Sequence, residues 1–320
     1  MDYNLNTTTD LDGISIIIVN YNTKHLLKDI ITSIYDSCIY IKHEIIIVDN
    51  ASSDGSNQLI KQSFPGIKLI ENQVNMGYAA AVNIGVLNAQ YEAILVANSD
   101  IKFRLNTIDK MFEYLKANPC AGIIGAQLTN PDGTWQRSYS FFPTCFNALR
   151  ELFYIINILL RIEKVMWTLG LRRPRRVDYL DGACFMMRKH QFLDIGGFDE
   201  IFFFYAEDAD LCLRLKKEGY ERILLRDAIA VHYRGASSSI CKPEHYSGMQ
   251  AKSNCKFVEK HFGIRKAQLY ALLKSTHFFI TYSMISALNM FIPLSKKKDI
   301  YRTLWQSYAS KIFGHRHIGA

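Results

Sequence analysis

The stretch Ala93-Ile94-Leu95-Val96-Ala97-Asn98-Ser99-Asp100 decides the fold. Five apolar residues run without a charge, and the run ends in a carboxylate. A short uninterrupted apolar run reads as a strand covered on both faces of a parallel sheet. In open sheets of that kind, ligands bind beyond the carboxyl ends of the strands. Asp100 is therefore expected at the rim of a ligand crevice. A hard carboxylate oxygen there suits Mg2+ or Mn2+, ions that commonly arrive bound to phosphates. An Asp at a strand end serves equally as a helix N-cap, so this stretch alone leaves both roles open.

Upstream, strand and helix patterns alternate. Ile14 to Val19 is a β-rich run that ends in Asn20-Tyr21-Asn22-Thr23, and Lys24 to about Cys38 is helical, with Leu27, Ile30, Ile31 and Ile34 on one face. Glu44 to Val48 is a second strand, ending at Asp49-Asn50, and the polar Ala51 to Ser56 is a loop and helix start. Ile67 to Ile70 is a shorter strand, and Asn75-Met76-Gly77 opens an Ala-rich helix through about Gln90. This order predicts parallel βαβ units with right-handed crossovers. A dinucleotide fingerprint and a P-loop are both absent, because the turn after the first strand has no glycine. Asn, Asp and Ser side chains stand there instead, groups that read a base and ribose by hydrogen bonding. Asp49 and Asp100 thus end neighbouring strands, one suited to the nucleoside and the other to a metal–diphosphate. Asp49 also suits a simple turn or cap.

Downstream, Leu105 to Ala117 is a predicted helix, Gly122 to Leu128 a strand, and Pro131-Asp132-Gly133 a turn. Trp135-Gln136-Arg137-Ser138 follows, then the aromatics Tyr139, Phe141, Phe142 and Phe146, which suit either sugar stacking or a core. Val177 to Arg188 reads as a strand interrupted at Asp181-Gly182-Ala183. Phe202-Phe203-Phe204-Tyr205-Ala206-Glu207-Asp208-Ala209-Asp210 then places three carboxylates at a helix start, where they complement the helix dipole. Asp210 and Arg214 stand at i and i+4 and can pair structurally. Asp208 points away from that pair. Four aromatics just before it lower local polarity and favour a raised carboxyl pKa, which a general base requires. An ordinary acidic helix start fits the same residues. Glu221 to Leu225 and Ala228 to Val231 are short strands leading into His232-Tyr233-Arg234-Gly235. A lone His is often structural, and one at this sheet edge can also complete a metal site with Asp100.

Composition bounds these readings. With 320 residues and 49% hydrophobic content, the chain suits one large α/β domain with additions, or two small ones. Seven scattered cysteines without a C-x-x-C pair argue for a reducing compartment and against a disulfide framework or zinc site. Met1 to Gly13 is polar and lacks the apolar core of a secretory signal. Residues 242–320 carry 13 Lys/Arg against 3 Asp/Glu, and residues 146–176 carry 7 against 2. The whole chain is only +8, so the rest is net acidic. Both basic segments are also apolar, which favours an anionic membrane surface over nucleic acid as partner. Residues 146–170 have a broad helical apolar face and lead into Arg172-Arg173-Pro174-Arg175-Arg176, which fits a membrane-interface element. Ser275 to Ser295 are 21 uncharged residues before Lys296-Lys297-Lys298. Their polar members and Pro293 favour an in-plane helix or hairpin over a true span.

Taken together, these stretches resemble the family 2 inverting glycosyltransferases of the GT-A fold, over about residues 14–240. The matching pieces are Val19-Asn20-Tyr21-Asn22, Val48 through Ser56, Asn75-Met76-Gly77 through Asn83-Ile84-Gly85, Asn98-Ser99-Asp100, Asp181-Gly182-Ala183, Glu207-Asp208-Ala209-Asp210 with Arg214, and His232. Asp132-Gly133-Thr134-Trp135-Gln136 with Phe142-Pro143-Thr144 resembles the rhamnosyltransferase-like branch, which extends O-antigen and related bacterial polysaccharides. The resemblance implies a nucleotide-diphosphate sugar donor, dTDP-rhamnose first and a UDP-linked hexose or N-acetylhexosamine second. It implies a glycan or lipid-diphosphate-linked acceptor and a Mn2+ or Mg2+ cofactor. Asp49 would hold the nucleobase side with the Asn20–Asn22 loop, and Asn75, Gly77 and Asn98 would line the donor. Asp100 would be the last position of a D-x-D-type metal motif whose first position here is Asn98, leaving His232 a larger share. Asp208 would be the base, and Gly182 and Ala183, with Trp135, Asp181 and Glu207, would face donor sugar or acceptor. The implied layout is a tail at 1–13, a catalytic domain at 14–240 and a helical, membrane-associating region at 241–320. In that layout residues 14–100 form the nucleotide-binding half and 101–240 the acceptor-binding half. The expected location is the cytoplasmic face of the cell membrane. A glycoside hydrolase or a non-catalytic sugar-binding module would also use sugar-facing carboxylates, but would leave the Asp49 and Asn75–Gly77 loops idle. A nucleotidyltransferase would need a basic Gly-rich loop near the first strand, which is missing.

Overall fold

The computed structural model describes residues 11–234, 243–288 and 295–313. The tail through residue 10, Gly235, and residues 289–294 of the uncharged C-terminal stretch lie outside the described residues. The described chain forms two compact units. One takes residues 11–141, 166–203 and 207–234. The other takes 142–165, 204–206, 243–288 and 295–313, so residues 142–165 group with the C-terminal helices rather than with the sheet around them in sequence.

The first unit is built on the expected alternation. β1 (Gly13–Asn20), α1 (Lys24–Ser37), β2 (Lys42–Asp49), α2 (Ser56–Ser63), β3 (Lys68–Glu71), α3 (Tyr78–Leu87) and β4 (Ala93–Asn98) follow one another. Their strands lie in the parallel order β3-β2-β1-β4. Ile14, Ile16, Ile17 and Ile18 are fully buried, as are Ile94, Leu95 and Val96. Neither face of these strands meets water, which is why their sequences run apolar instead of alternating. Burial of each such side chain contributes about 1.5–3 kcal/mol. α1 turns Leu27, Ile30, Ile31 and Ile34 into this core, the face that the spacing predicts.

The second half of the sheet departs from simple βαβ repetition. β5 (Ile101–Phe103), α4 (Thr107–Ala117), β6 (Ala121–Thr129), β10 (Cys184–Arg188) and β11 (Glu221–His232) complete the order β4-β10-β6-β11-β5. β10 runs antiparallel between β4 and β6, while β6 and β11 are parallel. The two short strands expected at 221–231 are one strand with a register shift between Leu225 and Ile229. β5 follows directly on Asp100 and pairs antiparallel with the end of β11, His232 opposite Ile101. Pairs β7 (Tyr139–Ser140) and β9 (Tyr179–Leu180) form a small separate ribbon, and β8 (Arg175–Arg176) adds to β11. α7 (Lys189–Asp194) packs on β10, and α8 (Glu207–Lys217) packs on β9 and β11.

The second unit is helical. The expected single helix at 146–170 is two, α5 (Cys145–Leu152) and α6 (Ile155–Thr168), broken where Tyr154 takes a positive φ of 58°. α9 (Pro243–Phe262), α10 (Ile264–Leu288) and α11 (Ser295–Phe313) pack on one another, and α10 also packs on α5. Phe278 and Tyr308 stack at 5.7 Å, and Lys274 lies over the Phe278 ring while its ammonium pairs with Glu151 at 2.6 Å. Ser275, His277 and Phe278 are buried, so the start of the uncharged C-terminal stretch is partly this unit's own core. Among the described residues, no helix is long and apolar enough to cross a membrane.

Candidate active site

The parallel register brings the ends of β1, β2 and β4 to one edge, with Asn20 opposite Asp49 and Val19 opposite Asn98. Asn98 donates its backbone N–H to Ala183 O at 2.9 Å, which sets the Asp181–Ala183 break in the antiparallel neighbour on the same edge. The sequence-based site residues therefore converge there.

The loops after β1 and β2 are a closed hydrogen-bond system. Asn20 Nδ2 donates to Asp49 Oδ1 at 2.7 Å and to Ser52 Oγ at 3.1 Å, and Ser52 N donates to Asp49 Oδ2 at 2.9 Å. Asp49 is fully buried, with both oxygens engaged. Asn22, at φ 53°, accepts from Ser53 N at 2.8 Å and donates its own N–H to Ser52 Oγ at 2.9 Å. Tyr21 is half-buried beside it. Asn50 ties a further loop in: its Nδ2 donates to Asn75 Oδ1 at 2.9 Å and Gly77 O at 3.1 Å, and its Oδ1 accepts from Met76 N at 3.1 Å. Gly77 has φ 86°, and a Cβ there would stand 2.8 Å from Phe203, so the approach of these two loops requires glycine. Asn50 and Ser52 are structural members that reasoning on carboxylates passed over. Their signal was the run of Asn and Ser directly after Asp49.

The opposite side holds carboxylates. Asp208, at the start of α8, accepts from Ala209 N through Oδ1 at 2.7 Å and from Gly182 N through Oδ2 at 3.2 Å. Burial and the negative charge of Asp181 push its pKa up to about 7, against the pull of those two N–H donors. Glu207 is also held well above the usual carboxylate range, by burial and then by the charge of Asp208, and its Oε2 is buried without a hydrogen-bond partner. Asp181 accepts from Ala183 N at 3.2 Å and from Arg234 at 3.4 Å. Tyr78, for which the sequence held no signal, donates its hydroxyl to Gly182 O at 2.7 Å. Asp210 is fully buried and pairs with Arg214 Nε at 2.8 Å, and Arg214 holds the carbonyls of Ile195 and Gly197. This pair clamps a turn and is structural, as its spacing predicts.

Between the two sides stand Asp100 and His232. β5 and β11 bring them together: Tyr233 N donates to Asp100 O at 3.0 Å, and His232 Nε2 lies 3.3 Å from Asp100 Oδ1. Both residues are buried, and Asp100 Oδ1 has no hydrogen-bond partner. An orphaned carboxylate oxygen facing an imidazole nitrogen is a donor set that fits a divalent cation of the Mn2+ class. Asn98 is half-buried beside it, and Trp135 lies on the strand bridge Thr129–Trp135 with a buried, unpartnered Nε1. No group of three or more His, Cys, Asp or Glu placed to hold a metal ion forms among the described residues.

Residues 15–191 match the family described as Glycosyl transferase family 2. The chain belongs to this family. It is accordingly a glycosyltransferase enzyme. It is 27% identical over 253 residues to the N-acetylglucosaminyl-diphospho-decaprenol L-rhamnosyltransferase of Mycobacterium tuberculosis, covering 72% of this chain and 80% of that protein. A low-salt glycan biosynthesis hexosyltransferase, Agl10 of Haloferax volcanii, is 28% identical over 66% of this chain and 64% of its own length. Among solved structures, a mannosyltransferase from Pyrobaculum calidifontis in complex with GDP-Man and Mn2+ superposes with a TM-score of 0.58 at 16% identity, over 97% of this chain and 89% of that one. GalNAc-T7 with UDP, GalNAc and Mn2+ gives a TM-score of 0.57 at 14% identity, over 96% and 58%. These likenesses establish the GT-A fold, with its mostly parallel sheet flanked by helices and a helical C-terminal region.

Proposed function

We propose that this glycosyltransferase moves a sugar, rhamnose from its dTDP donor first, onto a lipid-diphosphate-linked glycan in cell-surface polysaccharide synthesis, with inversion at the anomeric carbon. The observation that carries the reading is Asp208, a carboxylate with a raised pKa on the same sheet edge as the Asp100–His232 pair. The donor nucleoside sits on the loops of Asn20–Asn22, Asp49 and Asn75–Gly77. Asp49, being fully buried, acts through the loop it orders rather than by touching the base. Asp208 takes the proton from the acceptor hydroxyl, whose oxygen attacks the anomeric carbon as the bond to the diphosphate oxygen breaks on the opposite face. Gly182 N and Ala209 N keep the carboxylate aimed while it gains the proton. Glu207, Asp181 and Trp135 face the sugars. Asp100 and His232 would hold a divalent cation, Mn2+ or Mg2+, which would supply positive charge to offset that of the departing diphosphate. A UDP-linked hexose or N-acetylhexosamine is the second donor reading, favoured by the UDP in the GalNAc-T7 neighbour.

The similarity to a rhamnosyltransferase acting on a diphospho-decaprenol supports the acceptor class. A peripheral position on an anionic membrane fits α6, where Ile155, Ile158, Ile162 and Val165 form a row 41–56% exposed, beside Arg161 and Lys164. Sedimentation with anionic vesicles, compared with neutral ones, checks this: the chain is expected in the anionic pellet, and Ile158→Asp with Ile162→Asp is expected to release it. The donor is tested by calorimetric binding of dTDP and UDP, each with and without Mn2+, on the wild type and Asp100→Ala. Mn2+-dependent binding of dTDP, lost in the variant, supports the reading. Binding of UDP alone moves the donor to the second reading, and binding of neither overturns both.

A further inference from the structure

Gln136, just after the turn of the Asp132-Gly133-Thr134-Trp135-Gln136 stretch, meets the second ring nitrogen of His232. Asn130 N donates to Thr134 O, and Gly133 N donates to Asn130 O, each at 2.8 Å. Thr129 bridges Trp135, so the chain returns along the end of β6. Gln136 is held there on both sides of its backbone: its N–H donates to Leu128 O at 3.1 Å, and its O accepts from Gln127 Nε2 at 2.8 Å. Its side chain is buried. β11 lies parallel to β6, with Val231 opposite Thr129, and this delivers His232 to the Gln136 amide.

The orientation of that amide is decided by an acceptor that cannot be anything else. Gln136 Nε2 donates to the backbone carbonyl of His232 at 3.1 Å, and also to Asn130 Oδ1 at 2.9 Å. Its Oε1 must then be the atom 2.9 Å from His232 Nδ1. An amide oxygen only accepts, so Nδ1 carries the hydrogen. In a neutral imidazole the other nitrogen then bears a lone pair. That nitrogen, Nε2, faces Asp100 Oδ1 at 3.3 Å. Two buried acceptors point at one another, an arrangement that a cation between them relieves. With the other tautomer, Nε2–H would donate to Asp100 Oδ1 in a simple His–Asp hydrogen bond, and the imidazole would present no lone pair on that side.

We propose that Gln136 is a positioning residue that locks His232 as the Nδ1–H tautomer, and so keeps Nε2 and Asp100 open as a pair of cation ligands. The inference rests on the cation reading of this pair given above. Residues that take the second ring N–H of a ligating histidine raise metal affinity by about 10–100-fold.

Two measurements test it, one of them without metal. Nitrogen-15 chemical shifts of the labelled histidines in the metal-free chain at pH 8 report the tautomer directly. His232, assigned through His232→Ala, is expected as Nδ1–H in the wild type and as Nε2–H or a mixture in Gln136→Met, which keeps length but cannot accept. An Nε2–H wild type overturns the proposal without any need for the variant to fold, and an unchanged tautomer in a folded Gln136→Met overturns it as well. Calorimetric titration with Mn2+ in the presence of the bound nucleoside diphosphate is expected to weaken by about 10–100-fold in Gln136→Met, with a lost or reduced nitrogen coupling in the spin-echo spectrum of bound Mn2+. An unchanged Mn2+ affinity in a variant whose tautomer has shifted also overturns it. Tautomers as expected with no Mn2+ affinity in the wild type overturn the cation reading instead, so the two failures are distinguishable.

Discussion

The two flanks of the sheet edge are built on opposite principles. On the β1–β2 flank, Asn20, Asp49 and Asn50 spend their polar atoms on one another and on the loop backbone. On the α8 flank, Glu207 leaves an oxygen buried without a partner, and Asp208 and Asp181 repel one another. The saturated flank is a scaffold that stays in shape whether or not a ligand is present. The unsatisfied flank stores electrostatic cost that is relieved when a proton or a ligand arrives, the condition expected of a group that changes charge during turnover.

Mutations can break this contrast. The largest effect is expected at Asp208→Asn, which keeps shape and removes the base: kcat should fall by about 10^2–10^4-fold in a transfer assay while nucleotide binding by calorimetry holds. Lost binding would move Asp208 from the chemistry to the donor scaffold. Asp49→Ala should do the reverse. It removes the acceptor of one Asn20 amide N–H and of the Ser52 N–H, each costing about 1–3 kcal/mol, so denaturant melts should show clear destabilisation together with weakened nucleotide binding. A variant of wild-type stability would show that the loop network is not a scaffold.

The mildest change sharpens the contrast through pH. The folded pKa of Asp208 is raised to about 7, so the active carboxylate form is lost as pH falls through that value. The pH profile of kcat/KM should therefore have an acid limb near 7. Asp181→Asn removes the neighbouring negative charge, stabilises ionised Asp208 and should move that limb to lower pH by less than about one unit. A limb that stays in place would assign the shift to burial alone.

Much of the first half was legible because its signals are local. A parallel strand buried on both faces announces itself as an apolar run, and the residue that ends it faces the ligand edge whatever the rest of the chain does. Asp49 and Asp100 could be named on that basis, while Asp208 and the Asp210–Arg214 clamp were marked by another local signal, a helix start and its i, i+4 spacing. The second half was less legible. β10 enters antiparallel between β4 and β6, and β11 reads as two strands until its register shift is seen. Residues 142–165 look like part of the surrounding domain in sequence yet group with the C-terminal helices, because covering an apolar helix face is settled by whatever packs on it, not by chain order.

By itself, then, the sequence determined the alternating fold, the family and which carboxylates end strands, since strand burial and helix spacing are properties of short stretches. Only the tertiary structure decided that Asp49 is sealed inside its own loop, that His232 reaches Asp100, and that Gln136 settles which imidazole nitrogen faces it. Those facts depend on pairing between strands far apart in the chain, β6 with β11 and β11 with β5, and on hydrogen-bond directions that no spacing of residue types encodes.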